Sequence, residues 1–329
     1  MLINVLMLIV GFGLLIKGGD WFVDGATGIA RRFRLPELLI GATVVSIGTT
    51  LPEVMVSAGA ALQGSGSIAY GNAIGSIICN TALIAALTIA IKPGAAPRKS
   101  MIVPVAFFFG SVALYCMGAY VFGEFSRLMG IVLLCVFVCY MVSTVIGMKK
   151  SAATEGVEVE CEEESSAEAG KGDSIIKDIL LLVIGAVMIA FGADFLVDSA
   201  IAIAQELGVS EKVIGLTIVA LGTSLPELVT AITSLVKGHG SLSLGNIIGA
   251  NLFNLVLVSG TAITISPFEL PMSAEIAGIN ASLVLDIPVM LAVMGILTVP
   301  TLIRQKLSRW QGISLLCIYV AFCVLQFTI

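Results

Sequence analysis

Two glutamates are the residues of this 329-residue chain whose setting most clearly indicates chemistry. Glu53 ends the segment GATVVSIGTTLPE, residues 41–53, and Glu227 ends its near-copy GLTIVALGTSLPE, residues 215–227. The copies lie 174 residues apart without a gap and share eight of thirteen residues. A carboxylate in a long apolar segment is costly unless it has a function. A pair related by an internal repeat therefore predicts a duplicated functional site.

Hydroxyl groups accompany both carboxylates. Thr49 and Thr50 precede Glu53 by four and three residues, which places them on its side of a helix. Thr223 and Ser224 stand at the same positions of the second copy. Each copy therefore offers a carboxylate and two hydroxyl groups at one depth.

A proline in each copy is expected to add backbone oxygens. Proline lacks an N–H group, so Pro52 and Pro226 should free carbonyls about one turn earlier, near residues 46–48 and 220–222. Inside a bilayer such carbonyls need a partner. A bound cation would supply one.

The next apolar segment carries an amide and hydroxyl stripe with a spacing of four, formed by Asn72, Ser76 and Asn80. The matching positions of the second copy are Asn246, Ala250 and Asn254. Together these groups form an oxygen-only set with two carboxylates. Such a set suits Ca²⁺ or Na⁺, whereas Mg²⁺ fits less well because it gives up its water reluctantly.

The charge of the pair predicts a mechanism. Two carboxylates about 5 Å apart repel by roughly 3 kcal/mol at an effective dielectric constant near 20. One Ca²⁺, several Na⁺ or two protons would neutralise them. We hypothesise that the protein can move its site between the two sides of a membrane only when the pair is neutralised, which makes it an exchanger rather than a leak.

The composition places these residues in a membrane. The chain is 58% hydrophobic and 12% charged, with a mean hydropathy of +1.08. Repeated apolar segments of about 20 residues predict an all-α polytopic membrane protein. The ten predicted transmembrane helices cover residues 1–22, 35–62, 68–91, 101–122, 126–148, 174–204, 211–236, 242–265, 274–299 and 310–328. The seven cysteines form no CxxC pair, and we expect them to be free, buried thiols.

An acidic segment divides the chain. Residues 149–173 contain seven glutamates and no apolar periodicity, which is typical of a linker. The predicted domains are therefore a first five-helix repeat (1–148, motif 41–80), this linker, and a second five-helix repeat (174–329, motif 215–254).

Lysine and arginine predict the orientation. With the N-terminus outside, fourteen of these residues fall on the cytoplasmic side, and only Arg127 and Lys212 fall outside. The positive-inside rule thus favours a plasma-membrane protein with both termini extracellular and the 149–173 linker cytoplasmic. Because five helices per half is an odd number, the second repeat must be inverted, as in secondary transporters.

These motifs resemble those of a known family. GTTLPE at 48–53 and GTSLPE at 222–227, each followed by a GN-x-I-G helix, are similar to the two alpha-repeats of the prokaryotic-type sodium/calcium exchanger group of the cation/calcium exchanger superfamily. The resemblance covers both halves. It implies ten helices in two inverted repeats and Na⁺-driven Ca²⁺ antiport by alternating access.

The resemblance also implies roles for single residues. It makes Glu53 and Glu227 shared Ca²⁺ and Na⁺ ligands and gives oxygens or support to the residues beside them. Those further implied site residues are Thr49, Thr223, Thr50, Ser224, Ser76, Asn80 and Asn254, with Ser46 and Ala220 contributing only carbonyls.

Three features bear on the ion that drives exchange. The proton-coupled relatives usually have GN-x-x-E where this chain has TTLPE, which argues for Na⁺. Asn254 replaces the Asp of K⁺-dependent relatives and argues against K⁺ co-transport. Ala250 replaces a frequent serine and removes a hydroxyl from one Na⁺ site, so the sequence does not fix the stoichiometry.

Other functions remain alternatives. A Ca²⁺/H⁺ antiporter could use the same scaffold, and a passive cation channel is a rival from another class. The sequence lacks HExxH and other hydrolase motifs, so we expect no enzyme activity. We expect no cofactor, no nucleic acid and no obligate protein partner, only the bilayer and the transported ions Ca²⁺ and Na⁺.

Overall fold

The computed structural model describes residues 2–33, 35–154, 175–206, 222, 224–272, 275, 276 and 278–328, and within them the chain is mostly helical. The described helices are α1 (Leu2–Arg32), α2 (Glu37–Leu62), α3 (Gly66–Ile91), α4 (Arg98–Phe122), α5 (Arg127–Thr154), α6 (Ile175–Glu206), α7 (Leu225–Val236), α8 (Gly240–Ile265), α9 (Ser282–Arg304) and α10 (Arg309–Thr328).

Among the described residues, nine helices are long and apolar enough to cross a membrane, and α7 is a shorter apolar helix of 12 residues. Each of the ten predicted segments has its helix, which confirms a helical polytopic membrane protein. The start of the seventh predicted helix, residues 211–221, and Thr223 lie outside the described residues.

Two predicted boundaries were wrong. The first helix continues to Arg32 rather than ending at residue 22, and its last turn carries basic side chains, which the negative end of a helix dipole favours. The ninth helix begins at Ser282 rather than at 274, because two short antiparallel strands, β3 (Glu275–Ile276) and β4 (Ile279–Asn280), precede it. Between those strands Gly278 has φ = 77°, a conformation that a residue with a side chain rarely adopts.

The internal repeat is visible in the helix boundaries. Helices α3 and α8 begin 174 residues apart and end 174 residues apart, and so do α2 and α7 at their last residues. In both α3 and α8 the α-helix changes to a π turn at an asparagine, Asn80 or Asn254. The two halves therefore repeat in local backbone geometry as well as in sequence.

The equivalent helices α1 and α6 pack against each other in opposite directions. Gly11 approaches Gly192, whereas Gly18, further along α1, approaches Gly185, which comes earlier in α6. A Cβ atom at Gly18 would lie 3.0 Å from the carbonyl oxygen of Gly185. Small residues let membrane helices approach this closely. Antiparallel packing of equivalent helices is what an inverted repeat requires.

Two strand-like contacts repeat in the same way. Strand β1 (Glu124–Phe125) pairs with β2 (Phe268–Glu269), which joins the loop after α4 to the loop after α8. The bridge between Ala95 and Lys306 joins the loop after α3 to the loop after α9. The connections are equivalent by the inverted repeat, so each face of the protein carries one.

Burial separates central from peripheral helices. The spans of α3 and α8 are 72% and 83% buried inside the protein, whereas α1, α6 and α10 are 28%, 22% and 17% buried. The apolar surfaces of these peripheral helices face lipid. Three of the described free cysteines, Cys135, Cys139 and Cys317, are exposed on such surfaces, so the prediction that the thiols are buried was wrong for them.

Replacing Gly18 by alanine is expected to destabilise the protein by about 1–3 kcal/mol, because the added methyl group overpacks the α1–α6 contact. Gly13 on the same helix has no atom within 4 Å of an added Cβ, so Gly13→Ala is the matched control. Thermal unfolding in detergent should show a lower midpoint for Gly18→Ala alone. Equal midpoints for both variants would mean that the close approach is not needed.

Candidate functional site

Glu53 and Glu227 meet in the centre of the helix assembly. Glu53 lies within α2, and Glu227 lies in the first turn of α7, which contacts α2. Both side chains are fully buried, at 0% exposure. Their carboxylates are close enough for the negative charges to repel each other, and none of the four oxygens has a hydrogen-bond partner among the described residues.

The other acidic side chains with printed contacts at the helix ends are paired. Lys237 lies 2.7 Å from Asp24 and 3.4 Å from Asp20, and Arg32 lies 3.2 Å from Asp178. Likewise, Gln326 donates a 2.7 Å hydrogen bond to the carboxylate of Asp286. These contacts give the paired acids structural roles. They leave Glu53 and Glu227 as the fully buried carboxylates without a partner in the described part of the chain.

The hydroxyl groups of the first copy lie beside the pair and reach across to the second half. Thr49 donates a 3.2 Å hydrogen bond to Oδ1 of Asn246 on α8 and lies next to Glu227. Ser46 donates to the backbone carbonyl of Asn246 at 2.9 Å. The Thr50 hydroxyl is buried without a hydrogen-bond partner among the described residues.

In the second copy, Ser224 is buried and its hydroxyl also has no hydrogen-bond partner in the described ranges. Ser224 and Glu227 lie against Cys79, the residue before Asn80 on α3. The predicted site residues Thr223 and Ala220 lie outside the described residues.

Asn80 and Asn254 are placed symmetrically around the carboxylates. Each is fully buried, opens a π turn, and has both amide atoms unpartnered among the described residues. Helix α7 packs on the π turn of α3, and α2 packs on the π turn of α8. Each glutamate helix therefore contacts the asparagine turn of the other half. Short π segments inside α-helices occur frequently at functional sites.

Ser76 and Ala250 occupy equivalent positions one turn before these asparagines. Both are buried, at 4% and 0% exposure. The second half thus presents a methyl group where the first half presents a hydroxyl, and the two halves of the site differ at this point.

The prolines act differently from the prediction. Helix α2 continues through Pro52, and α7 begins with Pro226 in its first turn, where a missing N–H costs no helical hydrogen bond. Inside α2, Pro52 still cannot donate to the carbonyl of Gly48. Thr49, Pro52 and Pro226 line one small cleft, which brings the two proline segments together.

Amides outside the predicted set also support the site. Asn72 donates to the backbone carbonyl of Glu53 at 3.1 Å and to the Ser57 hydroxyl at 2.8 Å, so it fixes the turn that carries the glutamate. Asn251 donates to the Thr81 hydroxyl at 2.7 Å. Asn72 was visible in the polar stripe, whereas Asn251 stands opposite Ile77 in the repeat and gave no repeated signal.

Comparisons with known proteins agree with this geometry. The family described as sodium/calcium exchanger protein matches residues 3–146 and 177–328, on both sides of the acidic segment. An uncharacterised membrane protein of Methanocaldococcus jannaschii is 36% identical over 324 residues, 95% of this chain and 97% of that protein. The sodium/calcium exchanger MaX1 of Methanosarcina acetivorans is 32% identical over 355 residues, 99% of each chain.

A solved structure is also similar. The sodium-calcium exchanger NCX_Mj, soaked with 2.5 mM Na⁺ and 10 mM Sr²⁺, superposes with a TM-score of 0.78 at 31% identity and covers 97% of both chains. The chain belongs to the sodium/calcium exchanger family. It is therefore a membrane antiporter of the cation/Ca²⁺ exchange type and not an enzyme.

The chemistry of the exchanger's central residues suits a transported ion better than a permanently bound one. The described residues contain no group of three or more His, Cys, Asp or Glu side chains that could hold a metal. Two carboxylates with neutral hydroxyl and amide oxygens match the charge of one Ca²⁺. Sites with few charged ligands bind Ca²⁺ less tightly, which favours release.

Replacing Glu53 by glutamine is expected to raise the thermal midpoint in choline buffer without Ca²⁺ or Na⁺. The change removes a repulsion of about 3 kcal/mol, estimated for charges about 5 Å apart at an effective dielectric constant near 20. The same variant should lose most of the increase in midpoint that Ca²⁺ gives the parent protein, because ligand binding stabilises the folded state.

The matched control is Glu124→Gln, since Glu124 is exposed on β1. It should leave both midpoints unchanged. A Glu53→Gln protein that is less stable in choline buffer and still gains full stability from Ca²⁺ would contradict this account of the site.

Proposed function

We propose that the protein is a secondary-active antiporter that exchanges Ca²⁺ for Na⁺ across the cell membrane by alternating access. The observation that carries the proposal is the pair of buried, mutually repelling carboxylates, one from each half, without hydrogen-bond partners among the described residues. Such a pair needs a compensating positive charge. One Ca²⁺ supplies it, and so do several Na⁺, which gives competition for one site.

In this proposal Glu53 and Glu227 are shared ligands of both ions, and the hydroxyl and amide oxygens around them complete the coordination. The proposed ligand set also contains Thr49, Thr50, Thr223, Ser224, Ser76, Asn80 and Asn254, with the carbonyls of Ser46 and Ala220. The NCX_Mj structures support it by analogy, because those crystals were soaked with Na⁺ and Ca²⁺ or Sr²⁺ to follow extracellular ion exchange and binding-site occlusion.

We further propose that the protein lies in the plasma membrane with both termini outside and residues 149–173 in the cytoplasm. Contacts between basic and acidic residues support this, since they gather at one face. Arg32 at the end of α1 pairs with Asp178 at the start of α6, directly after the linker. The proposed domains remain 1–148, 149–173 and 174–329, with the ions and the bilayer as partners.

The proposal is tested with purified protein in liposomes loaded with Na⁺ and diluted into Na⁺-free buffer with ⁴⁵Ca²⁺. We expect uptake that depends on the outward Na⁺ gradient, and loss of more than nine-tenths of it in Glu53→Gln and Glu227→Gln, with Glu124→Gln as the active control. The reason is that one remaining carboxylate cannot balance Ca²⁺.

The same liposomes separate the rival functions. Uptake driven by a pH gradient in the absence of Na⁺ would show a Ca²⁺/H⁺ antiporter, because two protons also neutralise the pair. Uptake without any counter-ion would show a channel. Either result would overturn Na⁺ coupling.

Replacing Ala250 by serine is expected to increase the apparent Na⁺ affinity. The change restores the hydroxyl that Ser76 supplies in the first half, and one added oxygen contact of about 1 kcal/mol corresponds to roughly fivefold. The measurement is the Na⁺ concentration for half-maximal ⁴⁵Ca²⁺ exchange and the steepness of its dependence. Ala262→Ser, at another fully buried position of α8, is the control and should change neither. An unchanged Na⁺ dependence in Ala250→Ser would place the Na⁺ ligands elsewhere.

A further inference from the structure

A cleft of about 300 Å³ opens on the face that we propose to be cytoplasmic. It lies where α3 and α7 end and α8 begins, and the loop of residues 92–95 and Leu307 border it. The cleft is separate from the glutamate pair, which does not line it.

The inverted repeat shows that this cleft is not a general feature of the fold. Leu307 donates its backbone N–H to the carbonyl of Gly94 at 2.9 Å, and the equivalent partners on the opposite face are Phe125 and Phe268. Those two rings lie 5.3 Å apart between centroids. A Cβ atom on Gly66 would collide with Phe268, whereas one on the equivalent Gly240 would meet nothing within 4 Å. The opposite face is therefore filled by aromatic rings, and the cytoplasmic face is open.

The open side also differs in chemistry. Lys92 borders the cleft where the opposite face has Ser266, and Ser243 stands where the opposite face has Ala69. Ser243 is 3% exposed, and its hydroxyl has no hydrogen-bond partner among the described residues. A buried hydroxyl without a partner is costly, so this side chain points to a ligand.

The first turn of α8 forms part of the same wall. Leu242 and Ser243 donate their backbone N–H groups to the carbonyl of His239, and the preceding residues Gly240 and Ser241 border the cleft. The N-terminus of a 14-residue helical segment carries partial positive charge and attracts anions. A lysine, a helix N-terminus and a buried hydroxyl are the groups that bind phosphate.

We propose that this cleft binds a phosphoryl anion, carried either by a soluble phosphate or by a lipid headgroup. The bound group would contact Ala85, the last residue of the π turn that begins at Asn80. Binding on this wall therefore couples the cytoplasmic face to a helix segment that borders the glutamate pair, and an anion there regulates exchange.

The test uses the full-length protein in nanodiscs of phosphatidylcholine, titrated with inorganic phosphate against chloride at equal ionic strength. Phosphate should raise the thermal midpoint saturably. Lys92→Gln should weaken the apparent affinity about tenfold, and Ser243→Ala, which copies the residue of the opposite face, several-fold. Lys99→Gln, which removes another exposed lysine expected on the same face, should leave it unchanged.

A second set of nanodiscs containing phosphatidic acid identifies the source of the anion. A shift that depends on Lys92 and appears only in these nanodiscs would assign a lipid headgroup, and one that appears with inorganic phosphate would assign a soluble ligand. Gly94→Phe, which copies the aromatic filling of the opposite face, should abolish either shift. The proposal is overturned if neither probe gives a shift that Lys92→Gln reduces, whatever the outcome of the Na⁺ and Ca²⁺ assays.

Discussion

Repulsion between two buried carboxylates is the constraint on which this structure depends. Burying one unpaired charge is expensive, and burying two like charges near each other adds their mutual repulsion. The surrounding sequence does not relieve this with a lysine or arginine, although such residues pair with Asp20, Asp24 and Asp178 elsewhere. Neutral oxygens and amides surround the pair instead. Such groups can share a mobile cation with the carboxylates, whereas a fixed cationic side chain would compete with it.

The duplicated architecture explains how one chain builds such a centre. Each half contributes a glutamate helix and an asparagine-bearing helix, and the contacts cross between the halves. Thr49 of the first half bonds Asn246 of the second, so neither half can form the centre alone. The glycine contacts between α1 and α6 hold the equivalent helices antiparallel and thereby set the two halves in opposite orientations.

The sequence predicted the parts of this arrangement that depend on repetition and hydropathy. The 174-residue offset located Glu53, Glu227, Asn80 and Asn254, and apolar length located the ten helical segments. The π turns were not predictable, because a single inserted residue changes the helical hydrogen bonding without changing the apolar pattern. The role of Asn251 was missed for a different reason: its partner Thr81 lies on another helix and its repeat counterpart is Ile77, so neither spacing nor duplication indicated the contact.

The differences between the halves matter as much as their likeness. If two inverted halves were identical, the states open to either side of the membrane would be equal in energy, and the exchanger would have no preference between them. Aromatic rings at Phe125 and Phe268 fill one face, whereas Gly94 and Leu307 leave the other open. Closing the open face would require burying Lys92 and the polar start of α8, which costs free energy unless a ligand is bound there. Under alternating access, these unequal faces set the resting preference of the protein, and the matched glutamates set what it carries.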